Sequence, residues 1–188
     1  MNETSVSKMK QMFSMGGDKT SKILSIFFEN PTERFHLRRI ADLTKVSPAT
    51  VSRKLKNILS SNLLKTTITI PILEVTANLD SQLFLEAKKI YNQRRIRDSG
   101  LLNLLVEKYN HPEAIVLFGS YAKGEDIEKS DIDIAVITEK RLNLKLDNFE
   151  RELKRNIHLI EVMQKDIKPA LMNNLANGTV LYGYLKVK

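Results

Sequence analysis

The chain has 188 residues, 42% apolar and 28% charged, which gives room for one medium or two small soluble domains. It has no cysteine, so disulfides, thiolate zinc sites and cysteine nucleophiles are excluded, as suits a reducing interior. No apolar run approaches the ~18 residues of a membrane span, and the first fifteen residues lack the apolar core of a secretory signal, so a cytoplasmic location without membrane partners is expected. The net charge of +8 is unevenly spread: residues 1–98 hold 17 Lys/Arg against 9 Asp/Glu, while residues 99–188 hold 13 of each. A polyanion-binding module beside a neutral one is one reading of that asymmetry, and a solvated basic surface is the other.

Residues 1–18 are polar, end in Gly16-Gly17-Asp18, and read as a flexible tail. A first helix is predicted from Thr20 to Glu29, with Ile23, Leu24, Phe27 and Phe28 on one face, stopping before Asn30-Pro31. A second is predicted from His36 to Thr44, burying Leu37, Ile40 and Leu43. After the turn Lys45-Val46, a third opens with Ser47 as N-cap and Pro48 in the first helical position, and packs Val51, Leu55, Ile58 and Leu59 inward. Two short strands, 65–70 and 74–77, follow around Pro71. Three helices and then a hairpin is the pattern of a winged helix-turn-helix, here over residues 19–79.

The run from Ile40 to Leu55 is similar to helix-turn-helix segments of bacterial and archaeal regulators, although Lys45 stands where that family often has glycine. A lysine there with positive φ costs about 1 kcal/mol. The resemblance implies a partner, double-stranded DNA, with the third helix in the major groove and Thr50, Ser52 and Arg53 nearest the bases. Lys54, Lys56, Arg38, Arg39 and Lys65 are the expected phosphate contacts. A protein-interaction or dimer module is the alternative. A linker helix is predicted over residues 80–98, with Leu83, Phe84, Ala87, Ile90 and Tyr91 on one side. Its basic end, Arg94-Arg95-x-Arg97, suits the helix dipole, and its apolar side is a candidate homodimer face.

From residue 99 the expected order is helix (101–109), strand (114–118), Gly-Ser turn and strand (132–138). A helix (146–155), a strand (157–161), a C-terminal helix (165–177) and an edge segment (179–185) follow. Leu117-Phe118-Gly119-Ser120, then ten residues, then Asp131-Ile132-Asp133-Ile134 is the most informative stretch. Residues i and i+2 of a strand share a face, so Asp131 and Asp133 project together, about 5–7 Å apart, while Ile132, Ile134 and Val136 face the core. Two such carboxylates repel unless a cation lies between them, and Mg²⁺ commonly takes one or two carboxylates plus substrate phosphates. Gly119 lets the backbone approach a bound group. Ser120 and the following amides open a short helix whose start favours phosphate. Together these features point to a nucleoside triphosphate.

Gly119-Ser120, the ten-residue gap and Asp131-Ile132-Asp133 resemble the signature of the nucleotidyltransferase superfamily in its small, stand-alone form. The resemblance implies an α+β chain: a winged helix-turn-helix, a linker helix, and an α/β nucleotidyltransferase (polymerase beta-like) domain over residues 99–188. It also implies transfer of a nucleotidyl group from a nucleoside triphosphate with release of pyrophosphate. Gly119 and Ser120 would hold the triphosphate, and Asp131 and Asp133 would bind Mg²⁺ or Mn²⁺. Many members of the superfamily place a third carboxylate on the next strand. Here the alternation of Ile157 and Leu159 puts His158 on that face and Glu161 on the other, unless a bulge intervenes. His158 is then a general base or a satisfied polar residue. Three functions fit: a nucleotidyltransferase coupled to transcriptional regulation and acting on a protein or small-molecule hydroxyl, a non-catalytic nucleotide-sensing regulator, and an antitoxin partner of a HEPN-family toxin.

Overall fold

Apolar residues at helical spacing build the first half of the chain. Ile23, Leu24, Ile26, Phe27 and Phe28 are buried on α1 (Lys19–Glu29), which ends just before Pro31. β1 (Phe35–His36) leads straight into α2 (Leu37–Thr44), and the His36 ring accepts the Arg39 amide as N-cap. α2 ends on Lys45 in the left-handed region (φ 55°, ψ 35°), the strained turn expected for lysine in a position that favours glycine. α3 (Pro48–Leu59) starts on its proline and buries Val51, Leu55 and Ile58. The Ser47 hydroxyl bonds the Thr50 hydroxyl at 3.0 Å instead of a backbone amide.

The computed structural model describes residues 19–69 and 72–186, so the tail over 1–18 and the hairpin tip at Ile70-Pro71 lie outside the described residues. β2 (Leu64–Thr69) and β3 (Ile72–Ala77) pair antiparallel. β1 adds to β3 through Phe35↔Val75 and His36↔Glu74, giving the order β1-β3-β2. This third strand is absent from the sequence expectation because two residues are too short to show an alternation. Leu43 is also corrected: it is 54% exposed, while Ile40, Ala41 and Thr44 are buried. The Thr44 hydroxyl bonds the Ile40 carbonyl at 2.7 Å, which lets a polar residue occupy the inner face and rotates Leu43 outward.

The chain divides into two compact units, one ending at Lys88 and the other beginning at Lys89, with α4 (Gln82–Asp98) running across the division. In the first unit Phe84 packs against Phe28, ring centroids 5.3 Å apart. In the second, Ile96 joins the core. The expected apolar side of α4 is buried in part: Phe84 and Ala87 are covered, Ile90 is 39% exposed, and the polar Lys88 and Asn92 are buried as well.

The second unit is a four-stranded sheet in the order β6-β5-β4-β7. β4 (Ala114–Phe118) lies antiparallel to both β5 (Ile132–Ile137) and β7 (Thr179–Gly183). β6 (Ile157–Val162) lies parallel to β5 in continuous register. One face carries Ile115, Leu117, Ile132, Ile134 and Val136 against α5 (Leu101–Lys108) and its following Tyr109. The other carries Val116, Phe118, Ala135 and Ile137 with Leu175 of α8 (Pro169–Ala176). Burial of β4 and β5 on both faces explains their near-continuous apolar sequence. α6 (Gly119–Lys123) follows β4, and α7 (Asp147–Leu153) precedes β6.

The single C-terminal helix expected over 165–177 is instead a 3₁₀ turn, Gln164–Asp166, followed by α8. Pro169 is the cause. The residue before a proline is driven out of the α region, and Lys168 has φ −67° and ψ 150°.

Candidate functional site

β4 delivers the chain to Gly119, whose φ of +73° suits glycine. Phe118 stands opposite Asp133 in the antiparallel register, so the turn and the carboxylate meet across two hydrogen-bonded strands. A Cβ built on Gly119 would collide with Asp133 Oδ2, with Asp133 Cγ at 3.2 Å. Glycine is required here twice over, by its backbone angle and by the carboxylate lying on it.

Asp131 and Asp133 sit at the start of β5, on the face shared with Ala135 and Ile137, where the strand emerges from beneath α8. Asp131 is exposed and the Asp133 side chain is 26% exposed. β6 supplies a polar partner for each. The Asn156 amide donates to Asp131 Oδ1 at 3.2 Å, and His158 Nδ1 lies 3.0 Å from Asp133 Oδ1. His158 is the register partner of Asp133, so strand parity places its ring on the aspartate face as expected. Asn156 joins the site although the sequence expectation does not include it; the same parity marks it.

Glu161 is on the opposite face. β6 has no bulge between His158 and Glu161, and Val136 pairs Glu161 in unbroken register. Its carboxylate Oε1 accepts the Tyr109 hydroxyl and the Leu142 amide, the latter at 2.6 Å. Burial, followed by the hydrogen bond and negative charge of Glu161, pushes the Tyr109 phenol well above its usual value. Glu161 is therefore engaged, partly buried, on the opposite face of the sheet and does not complete the aspartate pair.

A second polar group lies beneath the turn. Asn92 of α4 donates to the Tyr121 carbonyl at 2.9 Å and to Asp126 Oδ1 at 2.7 Å. Asp126, 1% exposed, is 3.6 Å from the Arg155 guanidinium, which is also buried. These residues tie the loop between α6 and β5 to the residue preceding Asn156. The sequence carries no local signal for them, because Asn92 and Asp126 are 34 positions apart. A polar cleft of about 590 Å³, lined by Ser130, Arg151, Lys154, Arg155 and Asn156 among others, opens beside Asp131.

No three His, Cys, Asp or Glu side chains gather as a complete metal cluster among the described residues. The two aspartates still fit a hard divalent ion that draws its remaining oxygens from water and substrate phosphates. The Asp133 carboxylate is held against a glycine with no side chain between it and the turn.

In the first unit the expected DNA-facing residues lie together on α3. Arg53 and Lys56 are exposed, while Thr50, Ser52 and Lys54 are half-buried. Ser52 and Lys56 border a groove of about 710 Å³ that is otherwise largely apolar, with Leu55, Leu59, Leu73 and Val75 in its lining. Two expected phosphate contacts are paired internally: Arg39 with Glu33 at 2.9 Å and Lys65 with Asp80 at 3.2 Å. Arg38 is exposed. No helix among the described residues is long and apolar enough to cross a membrane.

No curated protein was found to match the chain. Residues 102–185, which contain the Gly119 turn, both aspartates and His158, match the family model described as Polymerase beta, Nucleotidyltransferase, a match that supports a domain of the nucleotidyltransferase superfamily over that segment.

Proposed function

We propose that the second unit transfers a nucleotidyl group from a nucleoside triphosphate to a hydroxyl acceptor. The observation that carries this reading is the close approach of the Asp133 carboxylate to the Gly119 backbone, within the segment that matches the nucleotidyltransferase family. Gly119 and Ser120 hold the triphosphate, and Asp131 and Asp133 hold a divalent ion, Mg²⁺ or Mn²⁺. Such an ion neutralises phosphate charge and makes an attacking hydroxyl more acidic. The acceptor oxygen forms a bond to the α-phosphorus, the bond to the β-phosphate oxygen breaks, and pyrophosphate leaves. The hydroxyl proton passes to solvent beside the exposed Asp131. The glycine turn and the Asp133 carboxylate already meet across two strands before substrate binds, which would lower the entropic barrier.

We read the first unit as a winged helix-turn-helix that binds double-stranded DNA and couples the chain to transcriptional regulation. Support comes from the order of three helices and an antiparallel sheet, and from the exposed Arg53 and Lys56 on α3. One experiment addresses both units. Labelled triphosphate is incubated with the full chain and Mg²⁺ or Mn²⁺, and bound nucleotide and released pyrophosphate are measured for wild type and Asp131→Ala. The variant is expected to lose metal-dependent nucleotide binding and to keep its DNA affinity. DNA affinity should fall with salt at a log–log slope of about −0.9 per phosphate contact. Nucleotide binding that survives Asp131→Ala undiminished refutes the site, and salt-independent DNA binding refutes the reading of the first unit.

A further inference from the structure

We propose that His158 is a nitrogen ligand of the divalent ion, so that this site prefers Mn²⁺ and later first-row ions to Mg²⁺. The inference rests on the metal-binding reading of Asp131 and Asp133 above and deepens it. Four observations converge. His158 and Asp133 are direct register partners on adjacent parallel strands, so the backbone, rather than a flexible loop, sets their separation. Nδ1 and Oδ1 are 3.0 Å apart. Two neighbouring ligands of an octahedral ion with bonds of about 2.1 Å are separated by about 3.0 Å, so an ion can join these two atoms without moving either strand.

The ring is also open, its side chain being 60% exposed. An exposed pair of this kind adds little to folding, so its hydrogen bond is readily exchanged for coordination. Finally, β6 treats the two aspartates differently. Asp131 receives the amide nitrogen of Asn156, which has no lone pair to offer an ion. Asp133 faces an imidazole nitrogen that donates its N–H to the carboxylate in one tautomer and, with the proton moved to Nε2, presents a lone pair to an ion in the other. Imidazole suits zinc and other later first-row metals, while Mg²⁺ favours an all-oxygen shell and gives up its water reluctantly. Replacing one oxygen by this nitrogen moves the balance away from Mg²⁺.

The test uses the full chain with Mn²⁺ and inorganic tripolyphosphate, a probe that contains no nitrogen. Pulsed electron paramagnetic resonance of the bound Mn²⁺ is expected to show a directly coordinated ¹⁴N in wild type. His158→Asp should keep Mn²⁺ bound and lose the ¹⁴N coupling. In competition titrations the same variant should reduce the Mn²⁺-over-Mg²⁺ preference, because an all-oxygen shell favours Mg²⁺. His158 is exposed, so neither this variant nor His158→Gln should disturb folding, which circular dichroism checks. Mn²⁺ bound without nitrogen coupling overturns the inference and leaves the nucleotidyltransferase reading standing. Coupling that persists in His158→Asp also overturns it. Mn²⁺ that does not bind, in wild type or Asp131→Ala alike, removes both.

Discussion

Replacing Gly119 by alanine tests the turn and the carboxylate together, and Gly100 provides an internal control. Both glycines have left-handed backbones, φ +73° and +79°. An L-residue in that region costs about 1–2 kcal/mol, so both Gly119→Ala and Gly100→Ala carry a similar strain. The difference lies in the space around the new methyl group. At Gly100 nothing lies within 4 Å, whereas at Gly119 the Cβ falls on Asp133 Oδ2 and has Asp133 Cγ at 3.2 Å and Cβ at 3.4 Å. The obstacle is the end of a partly exposed side chain, so Asp133 is expected to swing aside and part from His158 while the sheet holds.

For a unit of this size each kcal/mol shifts the midpoint by about 4–8 °C. Calorimetry should therefore show the second unit's transition lowered by roughly 4–16 °C in both variants. Nucleotide titrations with Mn²⁺ should separate them. Gly100→Ala should bind like wild type, and Gly119→Ala should bind more weakly by about tenfold or more, equivalent to about 1.4 kcal/mol. If Gly119→Ala matches Gly100→Ala in both stability and binding, the position of Asp133 over the turn has no part in ligand binding and the reasoning fails.

Two further outcomes follow from the buried polar groups. Asp126→Ala removes the carboxylate facing the buried Arg155 and should cost about 3–5 kcal/mol in urea unfolding, with much of that recovered in the double variant Asp126→Ala/Arg155→Met. Additive losses in the double variant would show that the two side chains do not act as a pair. Tyr109→Phe removes the hydroxyl donated to Glu161 and should cost about 1.5–3 kcal/mol near neutral pH. Because folding raises the Tyr109 pKa above its unfolded value of 10.0, its contribution is complete below pH 10 and is lost as the pH rises beyond that. Wild type should thus lose stability above pH 10 more steeply than Tyr109→Phe, and equal slopes in urea unfolding would contradict the shifted phenol.

The parts of this chain that could be read from sequence are those set by local rules. The glycine-serine turn, the paired aspartates and the placement of His158 follow from a two-residue period and one positive-φ glycine. The starts of α3 and β5 likewise carry their own signals. Elements governed by distant partners were not legible. Asn92 reads as the polar side of α4, but it is buried because Tyr121 and Asp126, far along the chain, satisfy its amide. Leu43 reads as core, but Thr44 takes the inner position by bonding its own helix. β1 is too short to show a period. The break before Pro169 was legible in principle, since a proline constrains the residue before it, but the apolar pattern around it outweighed that signal.

Parity along two strands decides the composition of the site. On β5 the face beneath α8 reads Asp131, Asp133, Ala135, Ile137, and on β6 it reads Asn156, His158, Ile160, Val162. Each strand is polar where it begins and apolar where Leu175 covers it, so the two parallel strands open side by side into one polar patch. The other face of β6 carries Ile157, Leu159 and Glu161 toward the α5 core, where Tyr109 and the Leu142 amide engage the carboxylate. A one-residue slip of β6 would exchange the faces, turning His158 inward and putting Glu161 on the aspartate face beside Ala135 or Ile137, still along the strand from Asp133. That slip would also move Ile157 and Leu159, partly buried against the α5 core, to the other face and forfeit their packing there. The hydrophobic pattern of β6 thus fixes its register, and the register fixes an imidazole, not a carboxylate, as the neighbour of Asp133.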